Sequence, residues 1–307
     1  MMGKTLEGTV ERIDANLSRV RSGDRLYFCD IRKKLFRYDP LKTNIAVGDQ
    51  VVFEELDEKG KGVIEKVLPR KSKLNRRTAM GNQEQIIAAN IDQLVSVSSV
   101  KEPKIRLNLI DRYLVVAEKH GFDAVVCVNK IDLAGDDFYK KVAVYEKIGY
   151  RVVLVSALNG TNLDLFGEVL AGKISILAGH SGVGKSSLIN SLIPGVEIET
   201  KEISRKWKKG KHMTTAVSMY HLPSGGYIID TPGIREFGLW DVKREELHLF
   251  YREFADYLGQ CKYNNCVHIS EPDCAIRDAL DKGDIDENRY KSYVYLYESI
   301  SEKRHWE

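Results

Sequence analysis

The chain has 307 residues, 43% hydrophobic and 30% charged, with 47 Lys+Arg against 44 Asp+Glu, the composition of an ordinary globular protein of two or three domains rather than a disordered or fibrous one. A mean hydropathy of -0.31 and the lack of any apolar run of roughly 18 residues exclude a spanning helix, so no membrane is expected as a partner. A net charge of +3 is too small to identify a nucleic-acid partner by itself, because the field depends on where the charges sit.

At the start of the chain, Glu7, Glu11 and Arg12 stand where a secretory signal would carry its apolar stretch, and a cytoplasmic protein is expected. Up to about residue 70, short runs of alternating apolar and polar residues predict strands over Glu7 to Ile13, Arg25 to Ile31, Lys34 to Tyr38, Gln50 to Glu54 and Gly62 to Leu68. Turn signals separate them, and strands of this number and length predict a small OB-type β-barrel, with any other small barrel as the alternative. From Pro69 to Gln85 the sequence turns basic and weakly apolar, which reads as a linker. Beyond it, apolar strands (Ile91 to Val100, Ala124 to Val128, Arg151 to Val155, Lys173 to Leu177) alternate with helical stretches (Leu107 to Lys119, Phe138 to Ile148, Leu163 to Leu170, Gly184 to Leu192). That alternation predicts an α/β domain with a parallel sheet covered on both faces. Two further strands, Ala216 to Leu222 and Gly226 to Ile229, complete it. After Trp240 a helical pattern, a Cys/His cluster and a polar helical tail predict a third, small domain. The expected division is therefore 1–70 (barrel, RNA-binding), 71–85 (basic linker), 86–239 (nucleotide-binding domain) and 240–307 (metal-binding helical domain).

The run Gly179-His180-Ser181-Gly182-Val183-Gly184-Lys185-Ser186 fits the phosphate-binding loop G-x-x-x-x-G-K-[ST], follows a predicted strand and opens a predicted helix. Backbone N–H groups of such a loop wrap the β-phosphate, Lys185 reaches the β- and γ-phosphates, and Ser186 offers an oxygen to Mg²⁺. Contacts with the nucleotide are expected from every residue of this run and from Ser187. Asn129-Lys130-Ile131-Asp132 ends another strand. A carboxylate at Asp132 can accept both the N1–H and the exocyclic amine of guanine, whereas adenine presents a ring acceptor to it. Ser156-Ala157 lies after the next strand, where the Ala157 N–H can meet guanine O6. Asp230-Thr231-Pro232-Gly233 ends a strand so that Asp230 can hold Mg²⁺ and the Gly233 N–H can meet the γ-phosphate. In the basic stretch before it, a Thr can join Mg²⁺ when the γ-phosphate is present, with Thr214 favoured over Thr215.

Of five cysteines, Cys261, Cys266 and Cys274 fall within fourteen residues and enclose His268. Three thiolates and one imidazole suit a closed tetrahedral Zn²⁺, structural rather than catalytic. Basic side chains concentrate at Arg70, Lys71, Lys73, Arg76 and Arg77, and again at Lys201, Arg205, Lys206, Lys208, Lys209 and Lys211 around Trp207. Either run reads as a solvated segment or as a contact for RNA phosphates and bases.

These nucleotide elements resemble those of the Ras-like GTPase superfamily in a circularly permuted order, the base readers at 129 and 156 preceding the phosphate loop at 179. With a barrel before and a Cys/His cluster after, the chain is similar over nearly its whole length to the ribosome small-subunit-dependent GTPase A family (RsgA, also called YjeQ). The resemblance implies a Mg²⁺-dependent GTPase with one structural Zn²⁺ that binds the small ribosomal subunit and its rRNA during late assembly and is stimulated by it; a monomer is expected. It also implies that His212 positions the attacking water, since Ile234 stands where Ras-like proteins carry a Gln and can neither donate nor accept. The alternative for His212 is a solvated or RNA-contacting side chain. The family's switch reads G-R-H-T-T, from which Gly210-Lys211-His212-Met213-Thr214 departs at Lys211 and Met213. Two other readings remain open at this level: a nucleotide-switched RNA-binding module with negligible turnover, and a P-loop kinase or ATPase, which Asp132 opposes.

Overall fold

The structure is a computed structural model and describes residues 4–14, 17–32, 45–57, 59–77, 84–196, 198, 217–230, 239 and 241–302. Its contacts divide the chain into two compact units, one of Met1–Gln93, Phe166–Leu177 and Leu192–Ile234, the other of Leu94–Leu165, Ala178–Ser191 and Arg235–Glu307. Among the described residues, no helix is long and apolar enough to cross a membrane.

The elements run β1 (Lys4–Asp14), β2 (Leu17–Ser22), β3 (Arg25–Ile31), β4 (Gln50–Glu55), β5 (Lys61–Val67), β6 (Lys73–Arg77), β7 (Glu84–Ala89) and β8 (Gln93–Ser99). They continue as α1 (Leu107–His120), β9 (Asp123–Asn129), α2 (Asp136–Lys147), β10 (Arg151–Leu154), α3 (Leu163–Leu170), β11 (Ile174–Ala178), α4 (Lys185–Leu192), β12 (Ser218–His221), β13 (Tyr227–Asp230), α5 (Ala275–Lys282) and α6 (Glu287–Glu302).

In the first unit, β1 to β5 close a barrel in the order β1-β2-β3-β5-β4, with β4 returning to β1. The β3–β5 pair is parallel and the other barrel pairs are antiparallel, as in a five-stranded OB barrel. Alternate residues Val10, Val20, Tyr27, Cys29, Val51, Phe53 and Ile64 fill its interior, the period-two pattern that a strand with one wet face requires. The expected strand over Lys34 to Tyr38 lies outside the described residues. The sequence reading passed over β2, because its outward positions are Leu17, Arg19 and Arg21 and one of its two inward residues is Ser18, buried in place of an apolar side chain.

The stretch from Lys73 to Ala89 is not irregular: β6 and β7 form an antiparallel hairpin. Leu74, Ile87, Ala88 and Ala89 are buried, and Asn90 donates to the Gly48 carbonyl while accepting the Lys71 N–H. Arg70 clamps the fully buried Asp49 with two hydrogen bonds of 2.6 and 2.7 Å. Basic, polar side chains masked this order in the sequence, since ladder hydrogen bonds satisfy the backbone whatever the side chain. The same unit holds β11, β13 and β12 in that order. β11 is parallel to β13, β13 antiparallel to β12, and β12 meets β1 at Ser218 opposite Arg12.

The second unit carries the strand run β10-β9-β8, with β9 and β10 parallel. Near-continuous burial along β8 and β9 is what a sheet covered on both faces demands. α1 ends at Gly121 in the left-handed conformation, with Lys119 and His120 in its last turn, a favourable arrangement of glycine and positive charge at a helix C-terminus. After residue 240 the chain forms two 3-10 stretches, Arg244–Phe250 and Arg252–Tyr257, before the Cys/His cluster and helices α5 and α6. Arg289 of α6 is buried between Glu253, whose two oxygens lie 2.6 and 3.2 Å away, and Asp111 of α1.

Candidate functional site: a guanine-nucleotide loop cluster and a thiolate-imidazole cluster

The phosphate-loop residues lie between β11 and α4. A Cβ on Gly179 would stand 2.3 Å from the Val97 carbonyl oxygen, and one on Gly184, which has φ +97°, would stand 2.2 Å from Asn129 Nδ2. Only glycine lets the loop approach both neighbours. The Lys185 ammonium crosses the loop, donating to the carbonyls of Gly179 at 2.6 Å and His180 at 3.3 Å. His180 Nδ1 lies 2.9 Å from the Ser181 carbonyl, so this ring faces its own loop. Ser186 and Ser187 follow in the half-buried first turn of α4, where unpaired N–H groups and the helix dipole favour an anion.

Asn129, at the end of β9, is 1% exposed and joins three loops. Its amide donates to the Val183 carbonyl at 3.0 Å, and its Oδ1 accepts the Ala157 N–H at 3.0 Å. Lys130 takes the left-handed conformation, which turns the chain so that Asp132 follows in an exposed 3-10 turn. The buried Ser156 hydroxyl donates to Asp132 Oδ1 at 2.5 Å, holding one carboxylate oxygen in place. The sequence-predicted residues Asn129, Lys130, Asp132, Ser156, Ala157 and the phosphate loop are therefore brought together in one unit. The sequence reading missed the segment after β8. There Lys130 Nζ donates to the Glu102 carbonyl and Ser99 Oγ to the Pro103 carbonyl at 2.7 Å. Pro103 was the signal available, as a fixed turn just beyond a strand end.

Asp230 belongs to the other unit, at the end of β13, opposite Ser218 of β12. Its carboxylate is a hard oxygen donor, the chemistry that suits Mg²⁺. His212, Thr214, Thr215, Gly233 and Ile234 lie outside the described residues, as does the basic run 201–211.

Cys261, Cys266, His268 and Cys274 place their ligand atoms within 4.8 Å of one another. The Cys261 and Cys274 sulfurs are 3.9 Å apart and stand 3.4 and 3.5 Å from His268 Nδ1. A tetrahedral zinc with ordinary bond lengths puts sulfurs about 3.8 Å apart and sulfur about 3.6 Å from nitrogen, so the cluster fits Zn²⁺. Burial holds the His268 imidazole down at about 4, with the neighbouring His248 adding to the effect, and a neutral ring is the form that binds metal. The ligand-bearing loop is tied from outside. Tyr290 and Tyr293 donate to the carbonyls of His268 and Val267 at 2.8 and 2.7 Å, and Glu271 accepts the N–H groups of Val267, Ile269 and Ser270.

A family model for the RsgA GTPase matches residues 67–240. The chain is 41% identical to the small ribosomal subunit biogenesis GTPase RsgA of Actinobacillus pleuropneumoniae serotype 5b (strain L20), covering 99% of this chain and 88% of that protein. It is 40% identical to the protein of the same name from Mannheimia succiniciproducens, covering 99% and 86%. Among solved structures, it is similar to YjeQ from Thermotoga maritima, with a TM-score of 0.78, 36% identity and coverage of 97% of this chain and 99% of that one. It is also similar to YloQ, described as a circularly permuted GTPase, with a TM-score of 0.75, 26% identity and coverage of 98% and 96%.

Proposed function

This chain belongs to the RsgA GTPase family, and from that membership we propose that it hydrolyses GTP in the biogenesis of the small ribosomal subunit. The observation that carries the nucleotide assignment is the double hydrogen bond of Asn129 to Val183 and Ala157. It locks the base-reading loops to the phosphate loop, with Asp132 exposed beside them and held by Ser156.

In this reading the N–H groups of residues 179–187 and the Lys185 ammonium take the phosphates, lowering the cost of the negative charge that shifts toward the leaving oxygens. Asp132 accepts from guanine, and the Ala157 N–H, which Asn129 Oδ1 accepts in the structure, is shared with O6. Ser186, Thr214 and Asp230 would hold Mg²⁺, which would supply positive charge against the phosphates. His212 orients the attacking water in place of a Gln, because Ile234 has no polar atom to do so. Gly233 meets the γ-phosphate, and Thr214 joins the Mg²⁺ set when that phosphate is present. Turnover is slow alone and rises on the subunit.

The functional modules of this reading are a barrel over 1–70 that binds rRNA, a basic connector over 71–85, the permuted GTPase domain over 86–239 and a zinc-stapled module over 240–307. One structural Zn²⁺ sits on Cys261, Cys266, His268 and Cys274, and the chain works as a cytoplasmic monomer. Equilibrium titration with a fluorescent guanine nucleotide, competed by GTP, GDP or ATP in Mg²⁺, tests the base assignment. Displacement by GTP and GDP with ATP at least about 10³-fold weaker is expected from a site built on hydrogen bonds to the base. Equal displacement by ATP would remove it.

A further inference from the structure

In the first unit the ladder registers line up a row of side chains across adjacent strands. Arg12 of β1 stands opposite Arg19 of β2, Arg19 opposite Phe28 of β3, and Phe28 opposite Lys61 of β5. Directly opposed residues point to one face. Here it is the outer face, because the alternate positions Val20, Tyr27 and Cys29 lie in the barrel core. Phe28 is 40% exposed, although its ring would gain by burial, and the Arg19 guanidinium lies 5.8 Å from the ring centroid. Asp14 fixes both arginines, 2.7 Å from Arg12 Nε and 3.5 Å from Arg19 Nε. Asp30 belongs to the next row, opposite Leu17. Between Arg12 and Lys61 the row holds three cations, one aromatic ring and no carboxylate.

We propose that this row binds an unpaired segment of RNA, with one base stacked on Phe28 and the flanking phosphates against Arg19 and Lys61. Those two cations flank the ring on neighbouring strands, about 10 Å apart at the observed register. An exposed aromatic face within a basic row is the means by which OB barrels hold single strands with little regard to sequence. A base within a duplex offers no free face, so the row selects unpaired nucleotides. The inference rests on the RNA partner proposed above and specifies its point of contact. The ladder continues from Arg12 to Ser218 and from Ser218 to Asp230. The contact thus shares a transverse row with the carboxylate assigned to Mg²⁺.

The test is fluorescence anisotropy of the full chain with a labelled ten-nucleotide unstructured RNA and with an RNA duplex of equal length, alongside sedimentation with purified small subunits. Phe28→Ala is expected to weaken single-strand binding by about tenfold or more and to leave duplex binding within about twofold. Phe28→Trp keeps single-strand binding, since it preserves the stacking face. The double variant Arg19→Gln, Lys61→Gln lowers the slope of log affinity against log salt by about 1.4. Melting temperatures matching the parent chain establish that each variant is folded.

Unchanged single-strand binding by Phe28→Ala overturns the proposal, as does equal loss of single-strand and duplex binding, which marks a general electrostatic face. Loss of subunit binding with RNA binding intact assigns the row to a ribosomal protein and also overturns it. If the parent chain binds subunits and Phe28 proves irrelevant, only this inference fails. If the parent chain binds neither subunits nor RNA, the RNA reading fails with it.

Discussion

The Asn129 side chain donates to the carbonyl of Val183, 54 residues later, at 3.0 Å. This contact joins the loop proposed to read the base to the loop proposed to take the phosphates. Both ends of the Asn129 amide are used, and Asn129 and Val183 are buried, so the Val183 carbonyl has no water to fall back on.

Asn129→Ala therefore leaves the Val183 carbonyl and the Ala157 N–H without this partner, at a cost of about 1–3 kcal/mol. The expected outcome is a fall in GTP affinity of roughly tenfold or more, with circular dichroism and Zn²⁺ content unchanged. Titration with a fluorescent guanine nucleotide measures it. Affinity equal to that of the parent chain would mean that the loops are held by something else.

Asp132→Asn inverts one polar edge at the base. An amide in place of the carboxylate donates where the carboxylate accepted, which suits the O2 carbonyl of xanthine rather than the amine of guanine. GTP binding is expected to weaken by roughly 3 kcal/mol, about a hundredfold, and xanthosine triphosphate to become the better ligand. Competition between the two nucleotides on the same variant gives the answer.

The zinc cluster gives a pH-dependent prediction. Burial lowers the His268 pKa from 6.5 to about 4, so the unfolded chain binds a proton there before the folded one does. The stability tied to the neutral ring is present above about pH 6.5 and is lost as pH falls toward 4. Protonation of thiolates acts in the same direction. Acidification through this window is expected to release one Zn²⁺ per chain to a colorimetric chelator, together with a drop in melting temperature. Cys274→Ser should show both effects already at pH 7.

Arg289, with its side chain 2% exposed, lies between two carboxylates that are themselves almost fully buried, Asp111 at 1% and Glu253 at 5%. Arg289→Ala removes the cation and leaves both uncompensated, which costs about 3–5 kcal/mol. Urea unfolding followed by tryptophan fluorescence and circular dichroism should show a lower midpoint. Asp111→Asn combined with Arg289→Met, which removes the charge pair together, should recover part of the loss.

What was legible in the sequence follows from how each signal is encoded. The G-x-x-x-x-G-K-S run and the Cys/His cluster are local patterns of residues close together along the chain, so Gly179 to Ser186 and Cys261 to Cys274 could be read directly. Long apolar runs such as Ala124 to Val128 gave their strands for the same reason. The hairpin of β6 and β7 was hidden because its order comes from backbone pairing, with Leu74 as a lone apolar residue in a basic, polar strand sequence. Strand β2 was hidden by Ser18, a polar residue at an inward position. Arg289 immediately precedes what reads as a polar helical tail from Tyr290, and its partner Asp111 lies 178 residues earlier. No window along the chain contains that pair, nor the joint between Asn129 and Val183.

The most direct test of the functional account is steady-state hydrolysis of GTP and ATP in Mg²⁺, by the chain alone and with purified small ribosomal subunits, large subunits or an unrelated structured RNA. The account predicts slow turnover of GTP only, accelerated strongly by small subunits and by none of the other additions. Comparable hydrolysis of ATP, or no acceleration by small subunits, would contradict it.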